Sequence, residues 1–210
     1  MIEVLGLFIG TLLIMTKCQK YIFTQIPRSY PVLPDLVHKF SDYLKELNII
    51  DFTRYYTVSD FFIIKSIFTL IFVYNTHLMS FLFDLSIIYL LRTISFTLTI
   101  LPKCGQMRDK DNNRSCVNIL LDYLFFKDLH TGHNNDLLFS GHTAFMTLYC
   151  LHFSRFYVTG FFTYLYSYQI WLVNIVLSLI NILSKCHYSI DVFYAYIVTI
   201  FVFQNIHGSM

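Results

Sequence analysis

Residues 78–101 read LMSFLFDLSIIYLLRTISFTLTIL, an apolar run whose formal charges are Asp84 and Arg92. A helix that crosses a bilayer needs ~20 mostly apolar residues, and this run has the length for it. Five further runs of the same kind flank it: about Met1 to Lys17, Val58 to Tyr74, Leu137 to Phe153, Tyr157 to Leu183 and His187 to Ile206. The expected fold is all-α: a polytopic membrane protein built as a six-transmembrane-helix bundle. Residues 1–210 read as a single membrane-embedded domain, with the first crossing at about 1–17.

Composition agrees. The chain is 56% hydrophobic and 13% charged, against the roughly 25% charged residues of soluble domains. Mean hydropathy is +0.56. A formal charge of +2 is too small to suggest a nucleic-acid partner. The N-terminal run has Glu3 where a signal peptide would be basic, and no small-residue cleavage site follows, so it reads as a membrane helix. Cys18, Cys150 and Cys186 lie in or beside apolar runs and read as small hydrophobes. Cys104 and Cys116 share one polar loop, where they stand as a disulfide or as two free thiols.

The polar loops are unequal. Asn75, Thr76 and His77 join the second and third runs as a tight hairpin, and Arg155 marks another short turn. The long loops carry the basic residues: Lys20, Arg28, Lys39, Lys45 and Arg54 in one, Lys103, Arg108, Lys110, Arg114 and Lys127 in the other. In the first, Pro31 and Pro34 keep the chain extended, and Asp35 can cap the following segment. That segment, Leu36 to Leu47, places Leu36, Phe40, Leu44 and Leu47 at amphipathic spacing and suits a membrane surface.

The chemistry-bearing residues gather at the starts of the fourth and sixth runs. Ser140-Gly141-His142-Thr143 opens one, and His187-Tyr188-Ser189-Ile190-Asp191-Val192 opens the other. With six crossings both starts fall on the same membrane side. On a helix Asp191 would share a face with His187, one turn along. A carboxylate there can hold one ring N–H of His187, leave the other nitrogen free to attack phosphorus, and stabilise the imidazolium that forms. An interfacial histidine merely paired to Asp191 is the alternative. Against it stands the cost of a carboxylate inside an apolar run, a position that is usually functional. Ser140 can cap a helix, Gly141 allows close backbone approach, and helix N-terminal amides favour a phosphate oxygen. His142 can serve as proton donor and acceptor. Arg92, midway in its run, can reach a phosphate or pair with Asp60 or Asp84, and Lys65 and Asp60 can snorkel or pair. His130 and His133 have no carboxylate in helical register, so no metal is expected.

Together these stretches resemble the sphingomyelin synthase family, a branch of the type 2 phosphatidic acid phosphatase superfamily. Pro31-Val32-Leu33-Pro34-Asp35 resembles that family's Pro-Pro-Leu-Pro-Asp motif. Arg92-Thr93-Ile94 through Thr97, Thr99, Leu101 and Pro102 resembles its third-helix motif, and Ala195-Tyr196, Thr199 and His207 match the run after its aspartate. The resemblance implies His187 as nucleophile, Asp191 as its partner and His142 as acid/base, with no cofactor. It brings Asp136 in as the aspartate preceding the Ser-Gly-His-Thr motif; Ser140, Gly141, Tyr188 and Arg92 complete the expected substrate-binding set. The implied partners are the membrane, a phospholipid donor and a ceramide or diacylglycerol acceptor; a homodimer is allowed.

Asn134-Asn135 stands where the family has Cys-Gly, and Val32 replaces a proline. The basic motif of lipid phosphate phosphatases is not recognisable, which favours a transferase. Transfer of phosphocholine or phosphoethanolamine to ceramide is the expected activity. Transfer to diacylglycerol, phosphatase or phospholipase C action, and a non-catalytic scaffold are the alternatives. The positive-inside rule would put the basic loops in the cytoplasm. The resemblance instead implies a site on the lumenal or exoplasmic side of Golgi, endoplasmic reticulum or plasma membrane, and the expectation follows the resemblance.

Overall fold

The computed structural model describes residues 2–25, 33–55, 57–73, 75–99 and 139–208, and among these it is helical with no strand. Seven α-helices follow in order: α1 (Ile2–Gln25), α2 (Leu36–Glu46), α3 (Val58–Phe72), α4 (Leu78–Leu98), α5 (Gly141–Phe156), α6 (Phe161–Leu183) and α7 (Ser189–His207). Short 3-10 turns, Phe52–Arg54 and Asn75–His77, precede α3 and α4, the second forming the expected hairpin. Cys104, Cys116, His130, His133, Asn134, Asn135 and Asp136 lie outside the described residues.

Among the described residues five segments are long and apolar enough to cross a membrane: Ile2–Tyr21, Phe52–Phe72, Asn75–Leu98, Phe161–Leu183 and Ser189–His207. The expectation of six is met for five. The remaining helix, α5, has 16 residues and so spans about 24 Å, short of a ~30 Å hydrocarbon core. It is also the helix most enclosed by others. It packs against α6 and α7 and is reached by α3 and α4, while α1 lies along α4. Eleven consecutive residues, Thr143 to Phe153, are buried. An enclosed helix need not match the lipid, which is why its composition is less apolar than that of its neighbours.

Phe81 and Ile88 of α4, Leu148 and Leu151 of α5 and Phe203 of α7 form the centre of the core. Apolar burial alone does not drive helices together in lipid, because lipid tails are as apolar as leucine. The α5–α6 pair shows the alternative, a polar seam between antiparallel helices. Thr143 Oγ1 lies 3.4 Å from Ser178 Oγ, Asn174 Nδ2 donates to Thr147 Oγ1 at 3.1 Å, and Ser154 Oγ meets Ser167 Oγ at 2.7 Å. Trp171 Nε1 donates to Ser154 at 3.2 Å. Each such contact contributes on average ~0.6 kcal/mol in a membrane bundle, and their helical spacing fixes the register of α5.

The amphipathic segment forms α2 as expected, and Asp35 Oδ1 caps it, accepting from Val37 N at 2.9 Å and His38 N at 3.4 Å. Its orientation is informative. Polar His38 and Ser41 are buried against the protein, whereas Leu36, Phe40 and Leu47 are exposed. Ser41 Oγ donates to Leu183 O at 2.7 Å, and Lys185 Nζ meets Asp42 Oδ1 at 2.5 Å. The helix is therefore a strap laid over the α6–α7 turn with its apolar side outward.

Candidate active site

The turn between α6 and α7 delivers His187. Cys186 N and His187 N both donate to Asn181 O, at 3.0 and 3.3 Å, and Lys185 adopts a left-handed backbone with φ 59°. Helix α7 begins only at Ser189, so His187 precedes it and does not share a helical face with Asp191. This corrects the expected start of the sixth run. The two side chains meet by another route. Asp191 sits in the first turn of α7, where its Oδ2 accepts from Tyr188 N at 2.8 Å and closes a capping arrangement. The same oxygen lies 3.5 Å from His187 Nδ1. The aspartate thus fixes the helix start and stands beside the imidazole, and both side chains are buried.

The strap secures the same turn from above. Asp35 Oδ2 accepts from Ser189 N at 2.8 Å and its Oδ1 from Ser189 Oγ at 3.0 Å, so one carboxylate caps both α2 and the start of α7. Burial pushes the Asp35 carboxyl up, but the Ser189 hydrogen bonds, the nearby His38 and the Val37 N–H outweigh it and hold it below the ordinary aspartate value. His38 Nε2 hydrogen-bonds to the His187 carbonyl at 2.9 Å. Leu33 N donates to the Tyr188 hydroxyl at 3.1 Å, and the rings of His38 and Tyr188 lie 5.4 Å apart. Tyr188 is thereby turned toward the strap and buried.

The second motif opens α5. Ser140 Oγ accepts from Thr143 N at 3.3 Å, and Ser140 N donates to the backbone carbonyl of Asp191 at 3.3 Å, joining the two motifs directly. His142 Nε2 lies 2.7 Å from Asp60 Oδ1 on α3. Asp60 therefore pairs with His142, and Lys65 is exposed. The His142 and His187 ring centroids lie 6.4 Å apart, with the ring planes inclined at 60°. Each histidine thus has a carboxylate near one nitrogen, at 2.7 Å for His142 and 3.5 Å for His187.

Arg92 projects from α4 to the start of α5. Its Nε donates to Phe139 O at 3.0 Å, and its Nη1 lies 3.2 Å from Met15 Sδ. A Cβ on Gly141 would stand 3.3 Å from Arg92 Cζ and Nη1, so the glycine lets the guanidinium lie against the backbone. Asp60 and Asp84, its expected partners, are engaged by histidines: Asp60 by His142, Asp84 by His152 and His207.

The structure gathers His142, His187, Asp191, Ser140 and Gly141 at one place, with Arg92 against Gly141 and Tyr188 behind His187. Sequence reasoning missed two contributors, Asp60 as the partner of His142 and His38 behind the His187 carbonyl. The signal for Asp60 was present, since a carboxylate in an apolar run needs a partner.

No curated protein matches the chain. Residues 133–208 match the family described as PAP2 superfamily C-terminal. The matched stretch contains His142, His187 and Asp191, and it supports the type 2 phosphatidic acid phosphatase superfamily, whose chemistry is that of lipid phosphatases and phosphotransferases.

Proposed function

We propose that this protein transfers a phosphocholine or phosphoethanolamine headgroup from a glycerophospholipid to ceramide, releasing diacylglycerol. The observation that carries the reading is the neighbouring pair of histidines, each beside a carboxylate, His187 with Asp191 and His142 with Asp60. Asp191 lies 3.5 Å from Nδ1 of His187, and the reading assigns Nε2 as the attacking nitrogen. Asp60 lies 2.7 Å from Nε2 of His142, and the reading assigns proton transfer to Nδ1.

In the first half, His187 Nε2 forms a bond to phosphorus as the bond to the glycerol oxygen breaks. His142 gives its proton to that oxygen, and diacylglycerol leaves. In the second half, His142 removes the proton of the ceramide hydroxyl, that oxygen attacks phosphorus, and the phosphorus–nitrogen bond breaks. Asp191 and Asp60 stabilise whichever imidazole is charged at each stage. The amides at the start of α5 and the Arg92 guanidinium supply positive potential for the phosphate oxygens, and Ser140 and Gly141 shape the approach. The resemblance adds Asp136 as a substrate-binding residue. Apolar helices around a buried polar centre suit an acceptor that arrives from lipid rather than from water.

The same reading places α5 as a sixth crossing, enclosed by its neighbours, and the site on the lumenal or exoplasmic side. The exposed apolar side of α2 then rests in the lipid interface. The test is to give the purified protein fluorescent ceramide with phosphatidylcholine or phosphatidylethanolamine and to resolve the lipid products. A new phosphosphingolipid supports the proposal. Unchanged ceramide with both donors overturns it, and free phosphocholine alone would assign hydrolysis instead.

A further inference from the structure

A second cluster of ionisable groups lies away from His142 and His187. Asp84 of α4, His152 of α5 and His207 of α7 converge, with Asp84 Oδ2 lying 2.7 Å from Nε2 of each imidazole. Their candidate ligand atoms all fall within 4.8 Å of one another. His152 lies ten residues beyond His142, about 15 Å along α5, and His207 lies sixteen beyond Asp191, about 24 Å along α7. Asp84 is about 12 Å from Arg92 along α4. The same three helices thus carry site residues at one end and this cluster at the other.

We propose that Asp84, His152 and His207 form a binding site for one divalent transition-metal ion of zinc-like ligand preference. Two imidazole nitrogens and a carboxylate are the donor set of three-ligand zinc sites, with a fourth position left for water. Charge favours the ion. With both imidazoles neutral the cluster holds one negative charge, and Asp84 is fully buried among apolar helices, where such a charge is costly. The unused oxygen points the same way: Asp84 Oδ1 is buried and has no hydrogen-bond partner among the described residues. Access exists, since the His207 side chain is 15% exposed while those of Asp84 and His152 are closed off at 0% and 1%. Phe81, Phe156 and Phe203 wall the imidazoles with ring contacts of 4.7–5.6 Å.

Hydrogen bonds fill the cluster in the geometry described. Around a tetrahedral ion with bonds of 2.0–2.2 Å the ligand atoms stand roughly 3.3 Å apart, so metal entry spreads these contacts by about half an ångström. Each neutral ring then moves its proton from Nε2 to Nδ1, and no net proton is released. His152 Nδ1 is buried without an acceptor among the described residues, and a missing second-shell partner typically weakens binding 10–100-fold. The site is therefore one that fills and empties, with the ion tying α4, α5 and α7 together.

The test uses the full chain, purified in detergent and stripped with chelator. It is then equilibrated with Co²⁺ or Zn²⁺ and desalted, after which bound metal is counted by elemental mass spectrometry and Co²⁺ is followed by its visible absorption. The wild type should retain one equivalent with imidazole-type Co²⁺ bands, prefer either ion to Mg²⁺, and melt at higher temperature when loaded. His207→Gln, at the exposed end, should lose retention while eluting as a monodisperse species, and Asp84→Asn should do the same if it folds. His187→Ala should retain the metal, which separates this site from the His142 and His187 pair. No retained metal in the wild type, or equal retention by His207→Gln, would overturn the proposal and leave the cluster as a hydrogen-bonded clasp between helices.

Discussion

Replacing Asp60 with asparagine removes the carboxylate that the structure places beside His142. The 2.7 Å contact between Asp60 Oδ1 and His142 Nε2 stays sterically possible in the variant, because an amide oxygen occupies the same position. What disappears is the attraction between carboxylate and imidazolium when His142 holds the proton it will give to the leaving alkoxide. Two unit charges about 4 Å apart at an effective dielectric of about 20 attract by ~4 kcal/mol. Both side chains are mostly enclosed, at 11% and 16% exposure, so water screens the pair little. At 1.36 kcal/mol per decade, full loss corresponds to about 10³-fold in rate. The retained hydrogen bond returns part of this, and the expected loss is about 10²–10³-fold in kcat with KM for the donor lipid little changed. The assay is initial-rate transfer to fluorescent ceramide in nanodiscs, with elution profile and helical circular dichroism as checks on folding. Asp60→Glu, which keeps the charge, should recover activity relative to asparagine. If Asp60→Asn works within threefold of the wild type, the pair has no part in proton transfer and the role given to His142 falls with it.

Asp191→Asn should keep the bond from Tyr188 N and so fold, yet lose at least about 10²-fold in transfer rate. Asp191→Ala should also lower the melting temperature, because removing a cap costs about 1 kcal/mol. Gly141→Ala would press a methyl onto the Arg92 guanidinium, which the Phe139 carbonyl holds in place, so initial rates should fall in a protein that still elutes as a folded species. The depressed Asp35 carboxyl contributes stability that is fully present above the ordinary aspartate pKa of about 3.9 and is lost as pH falls through its lower folded value. In melting curves the gap between wild type and Asp35→Asn should accordingly hold steady above about pH 5 and close on acidification below pH 4.

Hydropathy made the long helices legible, because a run such as Leu78–Leu98 has no other stable state in lipid. Local capping was legible too: Asp35 and Ser140 cap α2 and α5 through hydrogen bonds that span two or three residues. The sequence spacing makes the nearness of His187 and Asp191 legible, but not their geometry. Four-residue spacing suggests a helical face, but the left-handed Lys185 and the cap at Tyr188 put His187 outside the helix. Contacts between distant elements were not legible. Asp60 reaches His142 across 82 residues and His38 reaches His187 across 149, and nothing in local spacing encodes which helix faces which. Asp84 shows the same limit. The sequence offers it as one of several partners for Arg92, beside Asp60 and a phosphate, whereas the fold gives it two histidines from α5 and α7.

The order of bond making at phosphorus tests the central claim most directly. A donor phospholipid whose headgroup phosphorus is made chiral with oxygen isotopes or sulfur can be incubated with ceramide, and the configuration of the product determined. Attack first by His187 and then by ceramide inverts the centre twice, so the account predicts net retention. Inversion would mean that ceramide displaces diacylglycerol in a single step, and His187 would no longer be the nucleophile.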